Sequence, residues 1–239
     1  THPICQDYAR AGTDILNNEG IVRPPFVNIA DGCSSSADSD FGARLLVKCV
    51  ENFITRTNLG ISDPFMEGIL EAARIIDFLK LPEQSLDATL LSARVAADGV
   101  YVNAFGDGVF AASNRKTGFI EAYHIEYSSG YPQYLSYCLN RERQIRLHEL
   151  TNGNPILVTK WILRGQQENE WEKVDSDLIE SSIPKCVERK FSLEDYSLVA
   201  LFSDGVSSFT DAMNESSKSI AWQKVVAELM DIPLKKGHF

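Results

Sequence analysis

The spacing of apolar residues changes along the chain, from a helical beginning through a strand-rich middle to a helical end. Phe26 to Ala30 reads F-V-N-I-A, a short apolar strand running straight into Asp31-Gly32. From Asp40 to about Thr57, Leu45, Leu46, Cys49, Val50 and Phe53 recur at the spacing of one helix face. Ser62-Asp63-Pro64 marks a second helix start, with Ser62 as the N-cap and proline in the first turn. Phe65, Ile69, Ala72, Ala73, Ile76 and Leu79 form the apolar face of that helix, which is expected to end near Pro82.

After Asp87 the period shortens to that of strands. Residues 87–97, 99–105, 108–113 and 118–127 are expected as strands, with Asp98-Gly99 and Asp107-Gly108 as hairpin turns. Residues 143–150, 156–163 and 197–203 add three more, and the charged stretch 164–195 reads as loop and edge structure. Helical spacing returns from Ser219 to Ile232 through Ile220, Trp222, Val225, Val226 and Leu229. No internal repeat and no Pro/Gly/Ser-rich linker divides the sequence, so residues 1–239 read as a single domain. Two helices, a run of antiparallel strands and a closing helix predict an α+β fold with sheets packed against helices.

Charge narrows the function classes. The net charge is -10 and the pI about 4.9, which excludes a nucleic-acid binder, since that role needs a basic footprint. A single phosphate group is still a possible ligand, because a bound metal ion reverses the local field. Five cysteines without a C-x-x-C pair fit reduced thiols and a cytoplasmic location. The four histidines form no ligand pair for zinc. No apolar run approaches the ~20 residues that span a bilayer, and the first residues carry no signal-peptide pattern. The sequence opens without methionine, and the domain is expected to lack its extreme N-terminus.

Two segments share a design that points to chemistry. Asp31-Gly32 and Asp204-Gly205 each follow an apolar strand, F-V-N-I-A and L-V-A-L-F-S respectively. An aspartate at a strand end projects from a rigid element, and the glycine after it lets the backbone turn with its carbonyl free. Two such carboxylates converging from different strands suit a hard divalent cation, which takes oxygen ligands and keeps waters. Taken singly, each Asp-Gly is also a common turn.

Read in order, V-N-I-A-D-G-C-S-S-S-x-D-S-D-F-G-A-R, D-A-T-L-L-S-A, F-G-D-G-V-F and L-V-A-L-F-S-D-G-V resemble the signature blocks of the metal-dependent protein phosphatases of the protein phosphatase 2C type, in its bacterial-like branch. Cys5-Gln6-Asp7-Tyr8 is similar to the acidic N-terminal block, with Gln6 where many relatives have glutamate. Asp87-Ala88-Thr89 resembles the family's Gly-Ser-Thr strand, and Gly106-Asp107-Gly108 its Gly-Asp-Ser block. The resemblance implies two antiparallel β-sheets packed as a sandwich flanked by α-helices, with two Mg²⁺ or Mn²⁺ ions at one edge. It implies that Asp31 bridges both ions, the Gly32 carbonyl binds one, Asp204 holds the second, and Asp7 acts through water. Asp7, Asp31 and Asp204 would then be the catalytic residues, hydrolysing phosphoserine or phosphothreonine of a protein substrate with a metal-activated water. No Cys-x5-Arg loop offers a protein nucleophile.

The chain departs from the family pattern in three places. The family's further aspartate on a late strand is not found before Phe239, so that strand is expected to be lacking. No arginine stands upstream of Gln6-Asp7 to bind substrate phosphate. Ser208 occupies a position where relatives have an aspartate, which weakens a third metal site involving Asp107. Two alternatives therefore stand beside the enzyme: a catalytically impaired relative that binds a phosphoprotein or partner, and a small-molecule phosphomonoesterase on the same scaffold. The protein is expected to be a monomer. Among the remaining residues, Asp40 reads as an N-cap for the helix near Phe41, with Asp38 beside it as an outer acid. Arg44 reads as a surface or ion-paired side chain, Cys33 as a small packing residue, and Tyr123, Tyr127, Tyr131, Tyr134 and Tyr137 as sheet and loop packing.

Overall fold

Strand pairing in the computed structural model sorts ten strands into two sheets. The structure describes residues 6–12, 24–54, 63–151, 153, 155–164, 171–180, 184–210 and 219–231. The first sheet contains β1 (Asp7–Gly12), β2 (Phe26–Asp31), β3 (Leu90–Ala96), β4 (Gly99–Phe105) and β9 (Val187–Phe191), in the order β1-β2-β3-β4-β9. The second contains β5 (Gly108–Asn114), β6 (Ile120–Tyr127), β7 (Ile156–Leu163), β8 (Trp171–Ile179) and β10 (Tyr196–Phe202), in the order β10-β5-β6-β7-β8. Every neighbouring pair is antiparallel.

Helices α1 (Ser39–Ile54) and α2 (Pro64–Leu79) cover the first sheet, and α4 (Trp222–Asp231) covers the second. Three apolar layers result. Leu46, Val50 and Ile69 of the helices meet Ala30, Leu90 and Phe105 of the first sheet. Between the sheets, Leu91, Ala93, Val102 and Ala104 meet Phe110, Ala112, Ile125 and Val158. Val225, Val226 and Met230 of α4 close on Val109, Ala111 and Ala122. Strand alternation sends successive residues to opposite faces, so one strand serves two layers: Leu90 packs under the helices and Leu91 between the sheets. Each fully buried aliphatic side chain contributes about 1.5–3 kcal/mol. The expected α+β sandwich is the observed architecture.

Several expectations about elements need correcting. Residues 143–150 are not a strand but lie in α3 (Arg141–Thr151). Gln144 to Leu147 alternates polar and apolar residues, yet Glu, Arg, Gln and Leu are good helix formers. Asn140 then caps the segment by accepting from the N–H groups of Glu142 and Arg143 at 3.0 and 3.2 Å. Asp107-Gly108 is no hairpin turn, because β4 and β5 belong to different sheets; here the chain crosses between them. Asp40 sits inside the first turn of α1 rather than capping it. Ser62 lies outside the described residues, and the cap of α2 is Asp63, whose Oδ1 accepts from the N–H groups of Phe65 and Met66. In the stretch 164–195, β8 and β9 are the outermost strands of their sheets, as edge structure requires. β1 had no sequence signal of its own in D-Y-A-R-A-G. Among the described residues Cys33, Cys49, Cys138 and Cys186 are free thiols, and no helix is long and apolar enough to cross a membrane.

Candidate metal centre

β2 delivers Asp31 to one end of the first sheet, where register places it opposite Asp7 on β1. Its main chain is clamped on both sides. Asp31 N–H donates to Thr89 Oγ1 at 3.1 Å, and its carbonyl accepts from Thr89 N–H at 2.8 Å. β1 itself is tied to α1 by the 2.6 Å ion pair of Arg10 with the buried Glu51.

Gly32 follows in an isolated bridge to Ala88, and its N–H donates to the Gln6 carbonyl at 3.1 Å. A Cβ at this position would lie 2.6 Å from the Ser39 carbonyl oxygen, so only glycine fits. Ser39 Oγ stitches the turn together, donating to the Cys33 carbonyl at 2.8 Å and accepting from Gln6 Nε2 at 2.9 Å. Asp38 adopts a left-handed conformation at φ 57° just before α1 begins.

The second sheet brings its acids to the same end. Phe202, the last residue of β10, lies opposite Val109 near the start of β5. Asp204, just past β10, therefore faces the crossover that carries Asp107. Gly106 takes φ +88° in that crossover, a conformation that any other residue would strain to reach.

The electrostatics show how closely these acids interact. Burial raises the Asp31 carboxyl to about 8, helped by a hydrogen bond with Asp204 and by the charges of Asp7, Asp204 and Asp107. Asp107 rises to about 6, from burial and then the charge of Asp204. Each charge acting on Asp31 is another carboxylate. Among the described residues no lysine or arginine forms an ion pair with Asp31, Asp107 or Asp204.

The sequence-predicted set Asp7, Asp31, Gly32 and Asp204 is thus brought to one edge, with Asp107 joining it. Among the described residues no three acidic, imidazole or thiol groups already close on a single point as a metal cage. The donor chemistry nevertheless fits hard cations: oxygen only, from a rigid strand end, with excess negative charge. Mg²⁺ binds through one or two carboxylates and keeps several waters, so a closed protein cage is not a requirement for it.

Other candidates fall around this edge. Cys33 is half-buried rather than packed away; burial pushes its thiol up, but hydrogen bonds with Ser35 and Tyr134 outweigh this and leave it below the usual value. Arg44 lies over the Tyr8 ring, 5.9 Å from its centroid. Tyr123 and Tyr127 pack between the sheets, while Tyr131 is exposed. Ser208 is exposed at the end of the turn Asp204–Ser208. Sequence reasoning missed Arg143 and Ser136, which contact Asp87, and no periodic pattern marks them; Tyr134, expected as packing, contacts Cys33.

The sequence profile of the family described as Protein phosphatase 2C matches residues 3–237. Among solved structures, the chain is similar to serine/threonine phosphatase Stp1 from Staphylococcus aureus, with 14% identity and a TM-score of 0.47, over 97% of this chain and 84% of that one. It is similar to serine-threonine phosphatase 2C from Toxoplasma gondii at 13% identity and a TM-score of 0.48, over 98% and 81% of the two chains. No curated protein gives a significant match.

Proposed function

From the premise that the chain belongs to the protein phosphatase 2C family, we propose that it hydrolyses phosphoserine or phosphothreonine in proteins with two divalent ions, Mg²⁺ or Mn²⁺. The supporting observation is that Asp7, Asp107 and Asp204 lie near enough to Asp31, at one edge of the two sheets, for their charges to raise its carboxyl. Such a concentration of like charge costs stability unless a cation offsets it. When bound, such ions supply Lewis acidity, activating water for attack on phosphorus and offsetting charge on the phosphoryl oxygens.

The chain's own residues prepare that site. Asp31, the Gly32 carbonyl and Asp204 would hold the ions, and Asp7 would act through water. Thr89 fixes the Asp31 main chain from both sides, and Ser39 fixes the turn after it. Without a cation, burial and the neighbouring carboxylates favour the protonated form of Asp31, which is hydrogen-bonded with Asp204. Loading the site therefore releases that proton.

The test is turnover of a phosphothreonine peptide and of a generic phosphomonoester by metal-stripped protein, before and after adding Mn²⁺ or Mg²⁺. Activity that requires the metal, disappears with chelator and survives thiol alkylation is expected. Activity that survives chelation and dies on alkylation overturns the reading.

Among the described residues the acids do not close on one point, which favours a second reading, a phosphoprotein-binding relative without turnover. It predicts phosphopeptide binding with no phosphate release at saturating Mn²⁺, measured in the same samples.

A further inference from the structure

Asp87 is 4% exposed, and its carboxylate accepts four hydrogen bonds. Ser136 Oγ donates at 2.7 Å, Ser36 Oγ at 3.2 Å, and Arg143 Nη2 at 2.8 and 2.7 Å to the two oxygens. Its main-chain carbonyl accepts from the N–H of Cys33 at 2.8 Å. The peptide joining Gly32 to Cys33 is therefore fixed directly by Asp87. On its other side Gly32 is held by the Gln6 carbonyl. Together these bonds set the direction of the Gly32 carbonyl.

Arg143 is what allows a carboxylate to be buried there. A buried charge is tolerated only when paired and hydrogen-bonded, and the guanidinium supplies both. Its Nη1 also donates to Glu83 at 2.7 Å, and its plane lies 4.6 Å from the centroid of the Tyr137 ring. α3 buries none of its own residues, so apolar packing does not hold it in place. Arg143, the Asn140 cap and the bond from Gln144 Nε2 to the Tyr137 carbonyl do so instead. The same segment reaches the turn a second time through the hydrogen bond between Tyr134 and Cys33.

In the block matched to Gly-Ser-Thr, Asp87 stands where the pattern has glycine. We propose that Arg143 is a positioning residue for the metal centre: through Asp87 it fixes the Gly32–Cys33 peptide and aims the Gly32 carbonyl. This rests on the metal-dependent reading above and deepens it. An ion pair that only held α3 down would affect melting and leave metal affinity alone.

The test compares the full chain with Arg143→Met, Arg143→Lys and Ser136→Ala, by calorimetric Mn²⁺ binding to metal-stripped protein and by melting without metal. Mn²⁺ affinity is expected to fall roughly 10–100-fold in Arg143→Met, the range for losing an outer support of a metal ligand. Arg143→Lys is expected to recover part of it. The Mn²⁺ concentration for half-maximal turnover should rise by the same factor, with kcat at saturating Mn²⁺ changed less. Ser136→Ala removes one bond and no charge, and gives a smaller loss of the same sign; it carries the test if Arg143→Met does not fold. Variants that melt lower but bind Mn²⁺ like the parent overturn the positioning role while leaving the proposed function intact. A parent chain that binds no Mn²⁺ overturns both, and is recognised before any variant is measured.

Discussion

At Asp31 the needs of folding and of the site conflict. Burial and three neighbouring acids hold its carboxyl up at about 8, above the unfolded value of 3.8. The folded chain therefore binds more protons than the unfolded chain between those limits. Stability of metal-free protein must fall as pH rises from about 4 to about 8, through this group, with Asp107 acting in the same direction up to about 6. Asp31→Asn removes that slope: in chelator at pH 8 the variant should melt above the parent, and Mn²⁺ should stabilise the parent alone. Turnover should fall further in Asp31→Asn than in Asp7→Asn, whose loss is expected at roughly 10–100-fold because it acts through water. Parallel pH–melting curves together with equal, mild losses of turnover would reduce Asp31-Gly32 to a turn. Asp31 and Asp204 were legible as strand-end Asp-Gly pairs. Which sheet delivers each of them was not, because that depends on how the strands pair.

Elements were legible where local chemistry and packing agreed. α2 shows a proline at its first position and an apolar stripe, and both are found, while its cap proves to be Asp63, one residue past the expected Ser62. Asp63→Ala should cost about 1 kcal/mol, the usual worth of an N-cap. For a chain of this length that lowers the melting temperature by roughly 2–4 °C. Mn²⁺ affinity should be unchanged, since Asp63 contacts none of the four acids; a fall in that affinity would show α2 coupled to the centre. α3 was misread for the opposite reason. Ile145 and Leu147 offered a period-two pattern, but neither is buried, so no packing enforced that period. Helix-forming residues and the Asn140 cap decided the outcome instead.

For the whole molecule, the proposed centre is a ligand-linked brace between the sheets. Asp7 and Asp31 come from the first sheet, Asp204 follows the second, and Asp107 lies on the chain crossing between them. A cation bound there holds the two sheets together at one end. At a hundredfold excess over its dissociation constant it adds ~2.7 kcal/mol. Melting of metal-stripped protein should then rise by roughly 5–10 °C on adding Mn²⁺ and return on chelation. A melting temperature unmoved by millimolar Mn²⁺ or Mg²⁺ would remove the metal centre from the account.

The sequence by itself determined which stretches would bury a face and where the strands would end in acid. Hydrophobic periodicity and the order of Asp-Gly blocks are properties of neighbours in the chain. It also showed that the glycine after Asp31 lets the backbone turn there, while the close approach of Ser39 that only glycine admits belongs to the fold. Only the tertiary structure decided which strands share a sheet. β4 and β5 read as a hairpin, yet the two sheets take one each, because Leu91 and Val102 must face Phe110 and Ile125 across the sandwich rather than lie beside them. It alone decided that Asp87, Ser36, Ser136 and Arg143 would meet, since a buried carboxylate takes its partners from whatever the fold brings near, at any distance along the chain.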